Sequence, residues 1–173
     1  HPPPARARHH PRVRARRRHL RPATANVSID VAVNSPNGRA PIGRARAEAL
    51  ARLVCAGERV AVARFTVTWL AARAMARLHR AHLGHAGATD IITFELRDPA
   101  GVPEGDIYIC PDVARANARA WGVPVREEYV RLVIHGVLHA LGHVHPDGEG
   151  RVASPMWRAQ ERYVARARAR GLA

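Results

Sequence analysis

Lysine is absent from this chain, whose 28 basic residues are all arginine. So complete a bias toward one basic residue points to coding preference as much as to selection for phosphate binding. It weakens the nucleic-acid reading that a formal net charge of +14 would otherwise invite. The charge is also uneven. The first 22 residues, HPPPARARHHPRVRARRRHLRP, hold eight arginines and no acid, and beyond them 20 arginines face 14 acids, a modest balance of +6. Cysteine is scarce: only Cys55 and Cys110 occur, each within a segment that reads as regular structure and apart from other ligand-type residues. A disulfide framework is therefore not implied; two buried thiols in a reducing compartment are expected, with pairing or metal binding as the lesser alternative. Long apolar runs are missing, so no membrane-spanning helix and no membrane partner is expected. The N-terminal stretch lacks the apolar centre of a secretory signal, which makes the cytoplasm the expected location.

What is present fits one globular domain, since 173 residues can bury a single sizeable core. Residues 1–24 mix proline, arginine and histidine without apolar periodicity and read as a disordered basic arm. Such an arm suits contact with RNA, and an upstream extension without a role accounts for it equally well. The domain is expected over 25–173. VSIDVAV alternates as a half-buried strand, and 42–56 carry apolar residues at helical spacing up to Gly57. RVAVARFTVTW reads as a second strand, and a helix follows over about 70–83. ATDIITFEL and DIYIC are two further strands around the turn DPAGVPEG, with a hairpin as their simplest pairing. A helix opens at Pro111 and ends at Gly122, and the most hydrophobic helix is REEYVRLVIHGVLHALG, with Glu127 and Glu128 in its first turn. A terminal helix starts with Ser154 as N-cap and Pro155 and runs to about Arg170. About four strands and five helices give an α+β fold, a sheet with helices packed on it.

Chemistry concentrates in residues 135–145, HGVLHALGHVH. His135 and His139 lie four apart on one helical face and can aim both rings at one point. Gly142 is a helix breaker, after which His145 can swing back as a third ligand, with His143 as its competitor. Val133, Ile134, Val137, Leu138 and Leu141 surround the pair, so these polar rings need partners, and a metal ion would satisfy them. Three neutral imidazoles with an open fourth position match a catalytic zinc, which brings the pKa of water down toward about 7. His79, His82 and His85 read as a solvated face, and Asp147 and Glu149 as a polar turn after the site.

HGVLHALGHVH resembles the HGxLHLxGYDH signature of the YbeY family of rRNA-maturation endoribonucleases. TDIITF, from Thr89 to Phe94, is similar to the family's TDVLSF; GDIYIC, from Gly105 to Cys110, to its GDIxIS; and EEYVRLVIHGVLH to the helix leading into the site. Met156 and Glu161 also fall where the family has a Met and a Glu. The resemblance covers about residues 25–170 and is specific between 78 and 161. It implies a small mixed four-stranded sheet, one zinc ion on His135, His139 and His145, and hydrolysis of single-stranded or ribosomal precursor RNA in the cytoplasm. It implies further a role in 16S 3′-end maturation and ribosome quality control, with RNA and the ribosome as partners and no DNA. Glu161 is then a candidate general base should the last helix lie beside the histidines.

Two departures stand out. Val144 replaces the aspartate before the last histidine, and Leu83 stands where the family has an arginine that meets RNA; Arg80, one turn earlier, is the candidate substitute. Two other classes remain open. A zinc peptidase would normally place Glu directly after the first histidine, where this chain has Gly136. A ribosome-associated binding module that kept the metal and lost catalysis would tolerate both departures.

Overall fold

The computed structural model describes residues 26–173; the basic arm expected at 1–24 lies outside the described residues. The elements follow in the order β1 (Ser28–Asn34), α1 (Arg44–Gly57), β2 (Val62–Trp69), α2 (Ala72–Leu83), β3 (Ile91–Arg97) and β4 (Pro103–Ile109). The helical half follows with α3 (Pro111–Trp121), α4 (Val125–Ala140), a single 3₁₀ turn (Gly148–Gly150) and α5 (Pro155–Ala169). The strands form one sheet in the order β1-β2-β4-β3. β1, β2 and β4 are parallel and β3 runs antiparallel to β4 at the edge, so the sheet is mixed and the fold is α+β.

The parallel pairs need crossovers, and α1 and α2 supply the helical part of them. The antiparallel pair is the hairpin that the turn residues suggest. It is tighter than the sequence implies, because β4 begins at Pro103 and pairs at once with Arg97. Asp98 is the cause: its Oδ1 accepts from the backbone N–H of Ala100 and of Val102, both at 2.9 Å, so only a short turn separates the strands.

The two faces of the sheet carry separate cores, as strand alternation requires. Ile107 and Ile109 point into the larger one, built from α1, α4 and α5. Tyr108 points the other way, where Met75, Ile92 and Cys110 form a small cluster under α2. Cys55 and Cys110 are both buried and free, and burial pushes the Cys55 thiol up to about 12.

Three glycines are set by close approach. On α4, a Cβ at Gly136 would sit 2.5 Å from Ile107 Cγ2, and on β4 a Cβ at Gly105 would sit 2.4 Å from Ala140 Cβ. The helix therefore lies on β4 as closely as backbone allows. Gly57 does not end α1 by adopting a left-handed conformation; it is the last helical residue, and a Cβ there would overlap the Tyr163 hydroxyl at 2.1 Å. The left-handed residue is Arg59, at φ 60°.

Gly136→Ala is expected to lower stability by about 1–3 kcal/mol, the usual cost of forcing an extra methyl into a packed contact. Thermal unfolding of the purified variant checks this, and a melting temperature unchanged from wild type would contradict the packing described.

Candidate metal centre

The site grows from α4, in which 13 of 16 residues are buried. A helix so apolar carries His135 into the interior at 4% exposure, while His139, one turn on, is half-buried nearer the surface. The helix ends at Ala140, and Gly142, at φ +94°, reverses the chain so that the His143 N–H bonds back to the Leu138 carbonyl at 3.0 Å. That reversal returns His145 to the pair. Its Nε2 lies 3.2 Å from His139 Nε2 and 3.4 Å from His135 Nε2. The three residues form a group that could hold a metal ion, with one ligand atom from each lying within 4.8 Å of the others.

The outward nitrogens decide the chemistry. His135 Nδ1 meets Gln160 Oε1 at 2.7 Å, His139 Nδ1 the His143 carbonyl at 2.9 Å, and His145 Nδ1 the Pro146 carbonyl at 3.0 Å. All three partners accept, so each Nδ1 carries the proton and donates it. Gln160 is fixed in this sense because its Nε2 donates to Glu161 Oε1 at 2.9 Å. Three neutral rings are left with three unprotonated Nε2 lone pairs facing one another. Such a cluster is repulsive until a cation occupies its centre, and three imidazole nitrogens suit zinc. Burial, then the neighbouring charge of His139, pushes His135 down to about 3, against the opposing bond to Gln160. His139 is lowered by the same cause, burial first and His145 next.

His143 does not join the group. Its Nε2 bonds Glu58 Oε2 at 3.0 Å, while its carbonyl holds His139. Glu58 is held in turn by the Tyr163 hydroxyl, which donates to Oε1 at 2.5 Å. Burial alone would raise the Glu58 pKa, but the bonds from Tyr163 and His143 outweigh it and the net shift is downward. Glu161 lies beside the triad through Gln160, with its carboxylate occupied by Arg131 Nε at 2.9 Å. Arg131 also pairs with Glu127 and Glu128, and Arg168 with Glu127, so a buried charge network backs the His135 side of the site. Arg80 is exposed at the end of α2, lining a shallow groove with Arg73 and Arg77. Val144 and Leu83 are 78% and 52% exposed.

Sequence reasoning missed Gln160, Arg131, Glu58 and Tyr163. Gln160 had one visible mark, since it is the single glutamine of the chain.

The family model described as endoribonuclease YbeY matches residues 39–168. The chain belongs to the YbeY endoribonuclease family. A YbeY endoribonuclease from Frankia alni is 33% identical over 150 residues, covering 78% of this chain and 81% of that protein. One from Chlorobaculum tepidum is 34% identical over 117 residues, covering 68% and 83%. The solution structure of a Thermotoga maritima protein aligns over 82% of this chain and 94% of its own, with a TM-score of 0.55 and 23% identity, which speaks to the fold. Among the described residues, no helix is long and apolar enough to cross a membrane.

Two outcomes follow. Gln160→Leu removes the acceptor that orients His135 and is expected to weaken metal binding about 10–100-fold, measured by competition with a chromophoric chelator. Metal-free protein should lose stability as pH falls from about 6.5 toward 3, by about 1.4 kcal/mol per pH unit for His135 alone. The sign follows from the depressed native pKa: the unfolded chain takes up a proton in that window and the folded one does not. Denaturant titrations at pH 7 and 5 give the slope, and a flat profile would show that His135 is accessible to protons in the fold.

Proposed function

We propose that this protein is a zinc-dependent endoribonuclease specific for single-stranded RNA. It acts in the cytoplasm on ribosomal RNA, in maturation of the 16S 3′ end and in ribosome quality control. The observation that carries the reading is the convergence of three Nε2 lone pairs whose Nδ1 protons are all committed elsewhere. Zinc held by His135, His139 and His145 would supply Lewis acidity toward a phosphate oxygen and lower the pKa of water. The remaining work falls to the chain's own groups. Gln160 and the carbonyls of His143 and Pro146 keep each ring in the one tautomer that offers Nε2 inward. Glu161 serves this arrangement as a positioning residue, because Arg131 and Gln160 both bond its Oε1 and Arg131 Nη2 reaches its Oε2 at 3.4 Å. Arg80 contributes a cation for the RNA backbone on the exposed end of α2.

Membership of a family of endoribonucleases supports RNA as substrate. Packing argues against peptidase chemistry. The position after His135, where a metallopeptidase carries its glutamate, is closed by Ile107 at a distance that does not admit a Cβ. A metal-retaining binding module is the second reading, favoured by the apolar Val144 and Leu83 at two positions where the family has an acid and an arginine.

Incubation with single-stranded RNA and with a peptide, each with and without chelator, separates the readings. Chelator-sensitive RNA cleavage is expected, and peptide cleavage or zinc without any cleavage would reject it. His139→Ala should lose both zinc and cleavage; full zinc occupancy in that variant would remove the metal assignment.

A further inference from the structure

A cleft of about 640 Å³ lies away from the histidines. It lies where the starts of α1 and α4 meet, lined by Arg39, Arg46 and Arg126 over a floor that includes Pro41, Ile42 and Tyr129. Arg126 precedes His135 by nine residues on one helix. At 100° and 1.5 Å per residue it stands about half a turn round and about 14 Å along the axis from that ligand. The cleft is therefore separate from the metal centre.

Its charge is unbalanced. No carboxylate lines it, and among the described residues none pairs with Arg39, Arg46 or Arg126. Arg115, which donates to the hydroxyl of Tyr129 at 3.2 Å, is itself paired with Asp112 and leaves that carboxylate outside the cleft. The first turn of α1 adds to the excess, with no acid and no side-chain cap at Gly43. Three guanidiniums lining one open cleft without a carboxylate among them give it a positive potential that favours an anion. Planar, always-charged guanidinium is the side chain best matched to phosphate oxygens.

We propose that this cleft is an anchoring site for the RNA backbone, holding phosphates of a segment outside the one being cut. The proposal rests on the ribonuclease reading for its choice of polyanion. It assigns Arg39, Arg46 and Arg126 a role that a short oligonucleotide at the metal centre does not sense. Long substrates reach the cleft and short ones do not.

The test compares wild type with the double variant Arg39→Ala/Arg126→Ala, using uncleavable 2′-O-methyl RNA of about 30 and about 6 nucleotides, titrated by fluorescence anisotropy at several salt concentrations. For the long RNA, the slope of log affinity against log salt should fall by about 1.4, since each single-strand phosphate contact contributes about 0.7. Affinity for the six-nucleotide RNA, zinc content and melting temperature should not change. An unaltered slope for the long RNA overturns the proposal. So does an equal loss for both lengths, which would place the two arginines in the cutting site. Inorganic pyrophosphate is the third arm. Its binding to wild type but not to the variant, with long-RNA binding unchanged, would make the cleft a site for a free polyphosphate and also overturn it. The ribonuclease reading fails on a different observation, namely absence of chelator-sensitive cleavage of short RNA.

Discussion

The contact between α4 and β4 is the constraint on which the rest depends. Gly136 over Ile107 and Ala140 over Gly105 let the helix settle at a separation where neither glycine position can carry a side chain. Once that depth is set, the residues immediately before them, His135 and His139, are fixed in both height and rotation. A helix forced outward would still be a helix, but it would carry His135 and His139 away from the residue that returns after Gly142. The same contact that places the ligands also denies the adjacent position a carboxylate, so geometry and choice of chemistry have one origin.

Around the triad, the structure commits every outward ring nitrogen before any ion arrives. Two of the acceptors are backbone carbonyls, of His143 and Pro146, which turn the loop after α4 into part of the site. The third belongs to Gln160 on α5, oriented through Glu161 by Arg131. A buried guanidinium among Glu127, Glu128 and Glu161 would be expensive alone, and its surroundings satisfy it. Stability and ligand orientation therefore share the same side chains, and a change at Arg131 would disturb both.

Much of this was legible in the sequence because it depends on spacing. Four-residue separation on a helix and a glycine before the third histidine are local facts, and so were the hairpin and the Ser154 cap, which accepts from Trp157 N at 3.1 Å. The partners were not legible, because Gln160 meets His135 across 25 positions and Tyr163 meets Glu58 across 105. Those contacts exist only once α5 has docked. His143 shows the limit most plainly: it continues the stripe of His135 and His139 by number, but the reversal at Gly142 sends its ring to Glu58 instead. Gly57 does end α1, as its position suggests, but the reason it must be glycine, the gap it leaves for the Tyr163 ring, is visible only in three dimensions.

The bridge from Tyr163 through Glu58 to His143 has a consequence for the loop that carries the third histidine. It pins the loop after α4 to the end of α1 and to α5 with side chains that are not ligands. That anchorage is independent of the three ligand nitrogens, since none of His143, Glu58 and Tyr163 belongs to the triad. The return of His145 toward α4 is therefore held by a tether separate from the metal-binding group itself.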